Sequence, residues 1–283
     1  MPLRVWRRRV TRWWRGLGLA LVLCGVVSVV VPLAAQCPAH RTMPLAEKLL
    51  HDARTCSQAT QTDALCPLNH EPEMPTAYAM FKDCASTKPD AYLVVPTEPV
   101  TGTEDARLRT ETYAKVWSDA WVWALRFPKA DAAWTAMAAN SQCARGIDQL
   151  HIHVSCVSDG VKKRLEEERE SIPVYRDATS FKEVELPLVA TGEGAGAARY
   201  RVARVAALGE VTAVADALST RVKGQVCVQK KSQPLSKQDI AVIGSSVQGE
   251  YFVLTYESGY GAGGAEDLLD QTCRQAEAAG GRQ

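Results

Sequence analysis

His151 and His153 stand in the run Gln149-Leu150-His151-Ile152-His153-Val154-Ser155-Cys156, in which polar and apolar residues alternate without a break. On a β-strand successive side chains point to opposite faces, so Gln149, His151, His153 and Ser155 share one face and the apolar residues the other. The two histidine Cα atoms are then roughly 6.6 Å apart, close enough for both rings to address one substrate group. Three kinds of chemistry fit such a pair. Two imidazoles can share one zinc, but a third protein ligand is then needed. His40, His51 and His70 lie far upstream, in irregular or helical stretches. The pair can instead be satisfied polar groups on a half-exposed strand. In the third reading one neutral imidazole attacks phosphorus, forming a phosphoramidate that water later hydrolyses, while the other donates to phosphate oxygens.

The elements that must position the histidines follow from periodicity. Residues 44–56 predict a short helix, and Cys56 and Cys66 can close the polar loop after it. The apolar runs 76–82 and 91–95, separated by Lys88-Pro89-Asp90, predict a hairpin. A polar loop with Thr101-Gly102-Thr103-Glu104 leads to a helix over 112–127, stopped by Pro128. Its tryptophans, at helical spacing, read as core packing. Residues 132–139 alternate weakly and lead through Asn140 into the histidine strand. Ser158 can cap a helix with Asp159 in its first turn, and the charge run 162–170 reads as its solvated face. Strands follow over 184–189, 199–205, 226–229 and 251–256, with helices over 211–222 and 265–273. Strands and helices do not alternate regularly, so the fold class is α+β, an antiparallel sheet with packed helices.

Two glycine clusters resemble phosphate loops without their context. Gly192-x-Gly194-x-Gly196 leads into a strand, and Gly259-x-Gly261-x-Gly263-Gly264 lacks the Lys-Ser/Thr of a P-loop. Neither a GxSxG elbow nor an HExxH helix occurs.

The chain opens with six arginines (Arg4, Arg7, Arg8, Arg9, Arg12, Arg15) and has no acid before Glu47. Residues 16–35 carry no charge, a run long enough to cross about 30 Å of hydrocarbon as a helix. Residues 1–36 therefore read as a basic flank and transmembrane anchor, with an exported domain over 37–283. Leu33-Ala34-Ala35 keeps a cleaved signal peptide open as the alternative. Outside Cys24 the cysteines form an even set, as disulfides in an oxidising compartment require. The formal charge of +1 belongs to the leader. Of 33 basic residues six are the leader arginines, and without them the balance against 32 acids is −5. No basic stripe with interleaved aromatics supports nucleic-acid binding.

The stretch Ala139-Asn140-Ser141, Arg145 and Asp148 through Cys156 resembles the signature of the CDP-diacylglycerol diphosphatases (pyrophosphatases), bacterial membrane-bound enzymes related to the histidine-triad superfamily. Similar positions extend over Lys82, Gly102-Thr103-Glu104, Ala120-Trp121, Ala203-Arg204-Val205 and the segment 265–273. Gly146 and Ile147 stand where Ser and Gln are common in that family, and Gln149 occupies the first triad position. The resemblance implies a histidine-triad-like fold and metal-independent cleavage of CDP-diacylglycerol to CMP and phosphatidate, with no cofactor. His151 would be the nucleophile, His153 would orient phosphate or leaving group, and Gln149 would donate to a non-bridging oxygen. Asn140, Arg145, Asp148, Thr103 and Glu104 would line the substrate site. The expected location is the bacterial inner membrane, with the catalytic domain on the periplasmic side. The rival function class is a non-catalytic, disulfide-stapled envelope protein that binds a ligand, and a zinc-dependent hydrolase using the histidine pair remains a further alternative.

Overall fold

The computed structural model describes residues 44–58, 66, 77–83, 88–126, 131–142, 144–189, 196–219, 238–257 and 264–273. The expected anchor, the strand expected over 226–229, and Cys37, Cys84, Cys143 and Cys227 lie outside these residues. Among the described residues no helix is long and apolar enough to cross a membrane.

The hairpin is present as β1 (Tyr78–Lys82) and β2 (Tyr92–Pro96), paired antiparallel. β3 (Thr135–Ala139) and the histidine strand β4 (Ile152–Val157) follow, then β5 (Lys182–Pro187), β6 (Ala197–Val205), β7 (Gln238–Gly244), β8 (Tyr251–Glu257) and the short β9 (Leu269–Asp270). Together they form one sheet in the order β1-β2-β4-β3-β7-β8-β6-β5, with β9 added against β4, and every strand pair is antiparallel. The α+β class and the antiparallel sheet are as expected.

Helices cover both faces. On one, α2 (Val116–Ala124) and α4 (Val211–Ser219) bury Trp117, Trp121, Val214 and Leu218 against Met137, Ile152, Val154 and Val242. The tryptophans are core, as their spacing predicts. On the other face α3 (Asp159–Glu168) lays Val161 and Leu165 on Val184, Leu186 and Ile243, and α1 (Leu45–Gln58) packs Leu49 and Ala53 on Phe81 and Leu93. The inner strands β3, β4 and β7 are thus covered on both sides, while the edge strand β5 keeps one face exposed, which is why an alternating run and a continuous one can share the same sheet.

Four expectations need correction. The histidine strand begins at Ile152 rather than Gln149, because residues 146–149 turn back on the end of β2. Its polar face is not open to solvent: His153 is only 5% exposed and Ser155 6%. Residues 265–273 form no helix. One 3-10 turn, Ala265–Leu268, is followed by β9, which pairs Leu269 and Asp270 with Val157 and Cys156. The Cys156–Cys273 disulfide, with Cα atoms 5.3 Å apart, ties this segment to β4, and a helix of that length could not follow the strand. Finally, β7 is a strand that alternation did not announce. All seven of its residues are buried at the middle of the sheet, so its sequence shows no period of two.

Candidate active site

The site lies where β4 begins, on the face shared by α1 and the C-terminal segment. A cleft of about 470 Å³ opens there. Leu45, Leu49, Phe81, Leu93 and Ile147 form an apolar side, and His151, His153, Asn140 and Glu266 a polar one. Lys48, Lys82, Lys88 and Arg145 also line it, against Asp83 and Glu266, so cations outnumber acids. Such a cleft attracts an anion that carries an apolar part.

His151 sits one residue before β4 and is partly exposed at the cleft. Its Nδ1 is 2.7 Å from the main-chain oxygen of Gln149. A carbonyl only accepts, so Nδ1 carries the ring proton and the Nε2 lone pair is left free. Burial pushes the imidazole below its ordinary pKa, although the Gln149 hydrogen bond and Glu266 pull it upward. At neutral pH His151 is a neutral, oriented base with one unshared pair.

His153 lies behind it, the ring centroids 5.0 Å apart and the planes near-perpendicular at 77°. Its two nitrogens are sealed from solvent and make no hydrogen bond, yet Nε2 is 3.4 Å from Glu266 Oε2. Burial drives this imidazole well below its ordinary value despite the pull of Glu266, with His151 and Lys88 pushing the same way as burial. Glu266 itself would be raised by burial, but His153, Lys88 and Asn140 hold it below the usual carboxylate range. With His153 neutral, the Lys88 ammonium at 3.0 Å supplies the stabilising charge.

Asn140, just past β3, clasps Glu266 twice: Nδ2 donates to Oε1 at 3.2 Å, and the Glu266 main-chain N–H donates to Oδ1 at 3.4 Å. The clasp requires Gly264, since a Cβ there would lie 2.2 Å from Asn140 Oδ1.

Arg145 is buried and forms a bidentate pair with Glu104, at 2.8 and 2.5 Å, while its Nε donates to Asp148 at 3.2 Å. The guanidinium presses on the main chain at Gly102, where a Cβ would fall 2.2 Å from Nη1. This latch ties the loop ahead of β4 to the 102–104 turn. Gln149 turns its side chain away from the cleft, its Nε2 donating to the main-chain oxygens of Glu98 at 3.1 Å and Pro96 at 3.4 Å. Its contribution at the cleft comes through its own carbonyl. Thr103 is buried, and neither it nor Asp148 nor Glu104 reaches the lining. Of the residues singled out by sequence, the cleft therefore brings together His151, His153, Asn140 and Arg145. Glu266 and Lys88 were not singled out. The available hint for Glu266 was its place in the family-like segment 265–273; nothing local pointed to Lys88. Among the described residues no group of three His, Cys, Asp or Glu side chains is arranged to hold a metal.

A family model described as CDP-diacylglycerol pyrophosphatase matches residues 48–277. The chain is 37% identical over 102 residues to a CDP-diacylglycerol pyrophosphatase of Yersinia pestis, covering 34% of this chain and 38% of that one. It is 30% identical over 161 residues to a CDP-diacylglycerol pyrophosphatase of Mycobacterium tuberculosis, covering 51% of this chain and 58% of that one. The matches thus span less than two thirds of these relatives' lengths. Among solved structures, yeast Ap4A phosphorylase Apa2 superposes with a TM-score of 0.43 at 10% identity, over 80% of this chain and 70% of that one. A likeness at that level carries no functional weight.

Proposed function

This chain belongs to the CDP-diacylglycerol pyrophosphatase family, and from that premise we propose that it hydrolyses the phosphoanhydride of CDP-diacylglycerol to CMP and phosphatidate through a covalent intermediate on His151. The observation that carries this reading is the Gln149 carbonyl at 2.7 Å from His151 Nδ1, which leaves Nε2 as the attacking atom. The Nε2 lone pair forms a P–N bond while the bridging P–O bond breaks, and the other phosphate leaves with that electron pair. Water then attacks the same phosphorus, the P–N pair returns to Nε2, and the water proton is lost to solvent. The same two products result whichever phosphorus is attacked.

The cation-rich lining offsets the diphosphate charge, and the wall of Leu45, Leu49 and Ile147 suits the acyl side of the substrate. Ile147 packs on the cluster of Leu49, Phe81 and Leu93, which gives an apolar residue at this position a structural reason. Phosphoryl transfer needs chiefly positioning and charge stabilisation, so this set of donors and one nucleophile serves without a metal. We read the sheet as histidine-triad-like and residues 1–36 as an inner-membrane anchor that places the catalytic domain on the periplasmic side. Tethering would hold the cleft near its lipid substrate at high effective concentration.

The test is CMP release from CDP-diacylglycerol by wild type and His151→Ala. The variant should keep the wild-type circular dichroism spectrum and lose turnover. Turnover retained within tenfold removes His151 from the role of nucleophile.

A further inference from the structure

Glu266 is a half-buried acid from the far end of the chain that sits against the catalytic pair, and the reaction scheme above does not use it. Its carboxylate has two distinct ends. Oε1 accepts from Asn140, while Oε2 accepts from Lys88 and faces Nε2 of His153. Three independent ties keep it there: the Asn140 clasp, the pairing of β9 with β4, and the Cys156–Cys273 disulfide. Among the described residues His153 makes no hydrogen bond at either nitrogen, and Glu266 Oε2 is the acceptor that faces Nε2. A neutral imidazole carries its proton on one nitrogen or the other, and the neighbour that accepts decides which.

We propose that Glu266 is a positioning residue that holds the proton of His153 on Nε2 and so fixes the ring that stands against His151. The inference rests on the phosphoanhydride reading of the site. Both nitrogens of His153 are sealed from solvent, so the Glu266 carboxylate, 3.4 Å from Nε2, is the acceptor that faces it among the described residues. Without the carboxylate, His153 is free to take the other tautomer or to turn, and His151 loses the fixed ring behind it. The charged and titratable groups that face His153 are Glu266, His151 and Lys88. The latter two oppose protonation of the ring, so Glu266 is the group among them that favours the donor form.

The experiment is nitrogen-15 NMR of the histidine rings at neutral pH in the exported domain and in the full chain in detergent, for wild type, Glu266→Ala and Glu266→Gln, with kinetics alongside. Wild type should show His153 as the Nε2–H tautomer. Glu266→Ala should show mixed or Nδ1–H tautomers, and its kcat for CMP release should fall by up to about 10²-fold, as when a reacting group is misplaced by about 1 Å, with KM changed far less. Glu266→Gln keeps the shape and guards against a folding artefact. Its amide oxygen can still accept from Nε2–H, so the Nε2–H tautomer should survive in Glu266→Gln while it is lost in Glu266→Ala. A purely structural Glu266 would lower yield or kcat with the tautomer unchanged, and that result overturns the proposal. If wild type releases no CMP, the substrate assignment fails, while the tautomer comparison still decides the role of Glu266.

Discussion

Replacing Arg145 by methionine separates two roles for this residue. Its side chain is 2% exposed and that of its partner Glu104 7%, and two charge-assisted hydrogen bonds at 2.8 and 2.5 Å join them. Removing the guanidinium leaves a carboxylate buried without its cation, a loss of about 3–5 kcal/mol in comparable pairs. Replacing both partners by neutral groups of similar shape removes that penalty, so Arg145→Met/Glu104→Gln should return to within about 1 kcal/mol of wild type. Urea unfolding followed by tryptophan fluorescence reads both quantities, and the double-mutant cycle isolates the pair. The latch also fixes the loop whose Gln149 carbonyl orients His151. The single variant should therefore lose kcat, and the double variant should recover it to within about tenfold. A loss under about 1 kcal/mol in the single variant, or no recovery in the double, would refute the latch. A double variant that is stable but without turnover would show the guanidinium acting on the substrate.

Four further outcomes follow. Both histidines have folded-state pKa values depressed by burial, so their contribution to stability is present above the unfolded value near 6.5 and is lost as pH falls below it. The loss approaches about 1.4 kcal/mol per pH unit for each ring, and His153→Asn should flatten the slope of unfolding free energy between pH 6.5 and 4. The acid limb of kcat/KM should lie below 6.5 for the same reason, since attack needs neutral His151. Cys156→Ser/Cys273→Ser opens a crosslink spanning 117 residues, which on chain entropy alone costs up to about 5 kcal/mol; a loss of unfolding free energy in urea below a quarter of that would show the segment held by other contacts. Turnover should survive EDTA; loss restored by zinc would replace the nucleophile with a metal site.

The sequence carried the local features well. Alternation found the strand with His153, the Lys88-Pro89-Asp90 turn found the β1–β2 hairpin, and Ser158 marked the start of α3. It did not show what covers them. The polar side chains at 153 and 155 looked like a solvent face because period two reports alternation and not exposure, and here α1 and the C-terminal segment bury that face. β7 was invisible for the opposite reason: a strand buried on both faces has no alternation to read. Asn140 and Glu266 are 126 residues apart, and no spacing rule reaches across such a distance. Arg145 had the right chemistry for phosphate, but its commitment to Glu104 depends on a turn 41 residues upstream.

The most direct measurement is mass spectrometry of the enzyme quenched in alkali during turnover of CDP-diacylglycerol. The account predicts an acid-labile phosphoryl adduct on His151, absent from His151→Ala. Its mass identifies the carried group as cytidylyl or phosphatidyl. A competent wild-type enzyme that passes through turnover with an unmodified His151, or carries the adduct on His153, would contradict it.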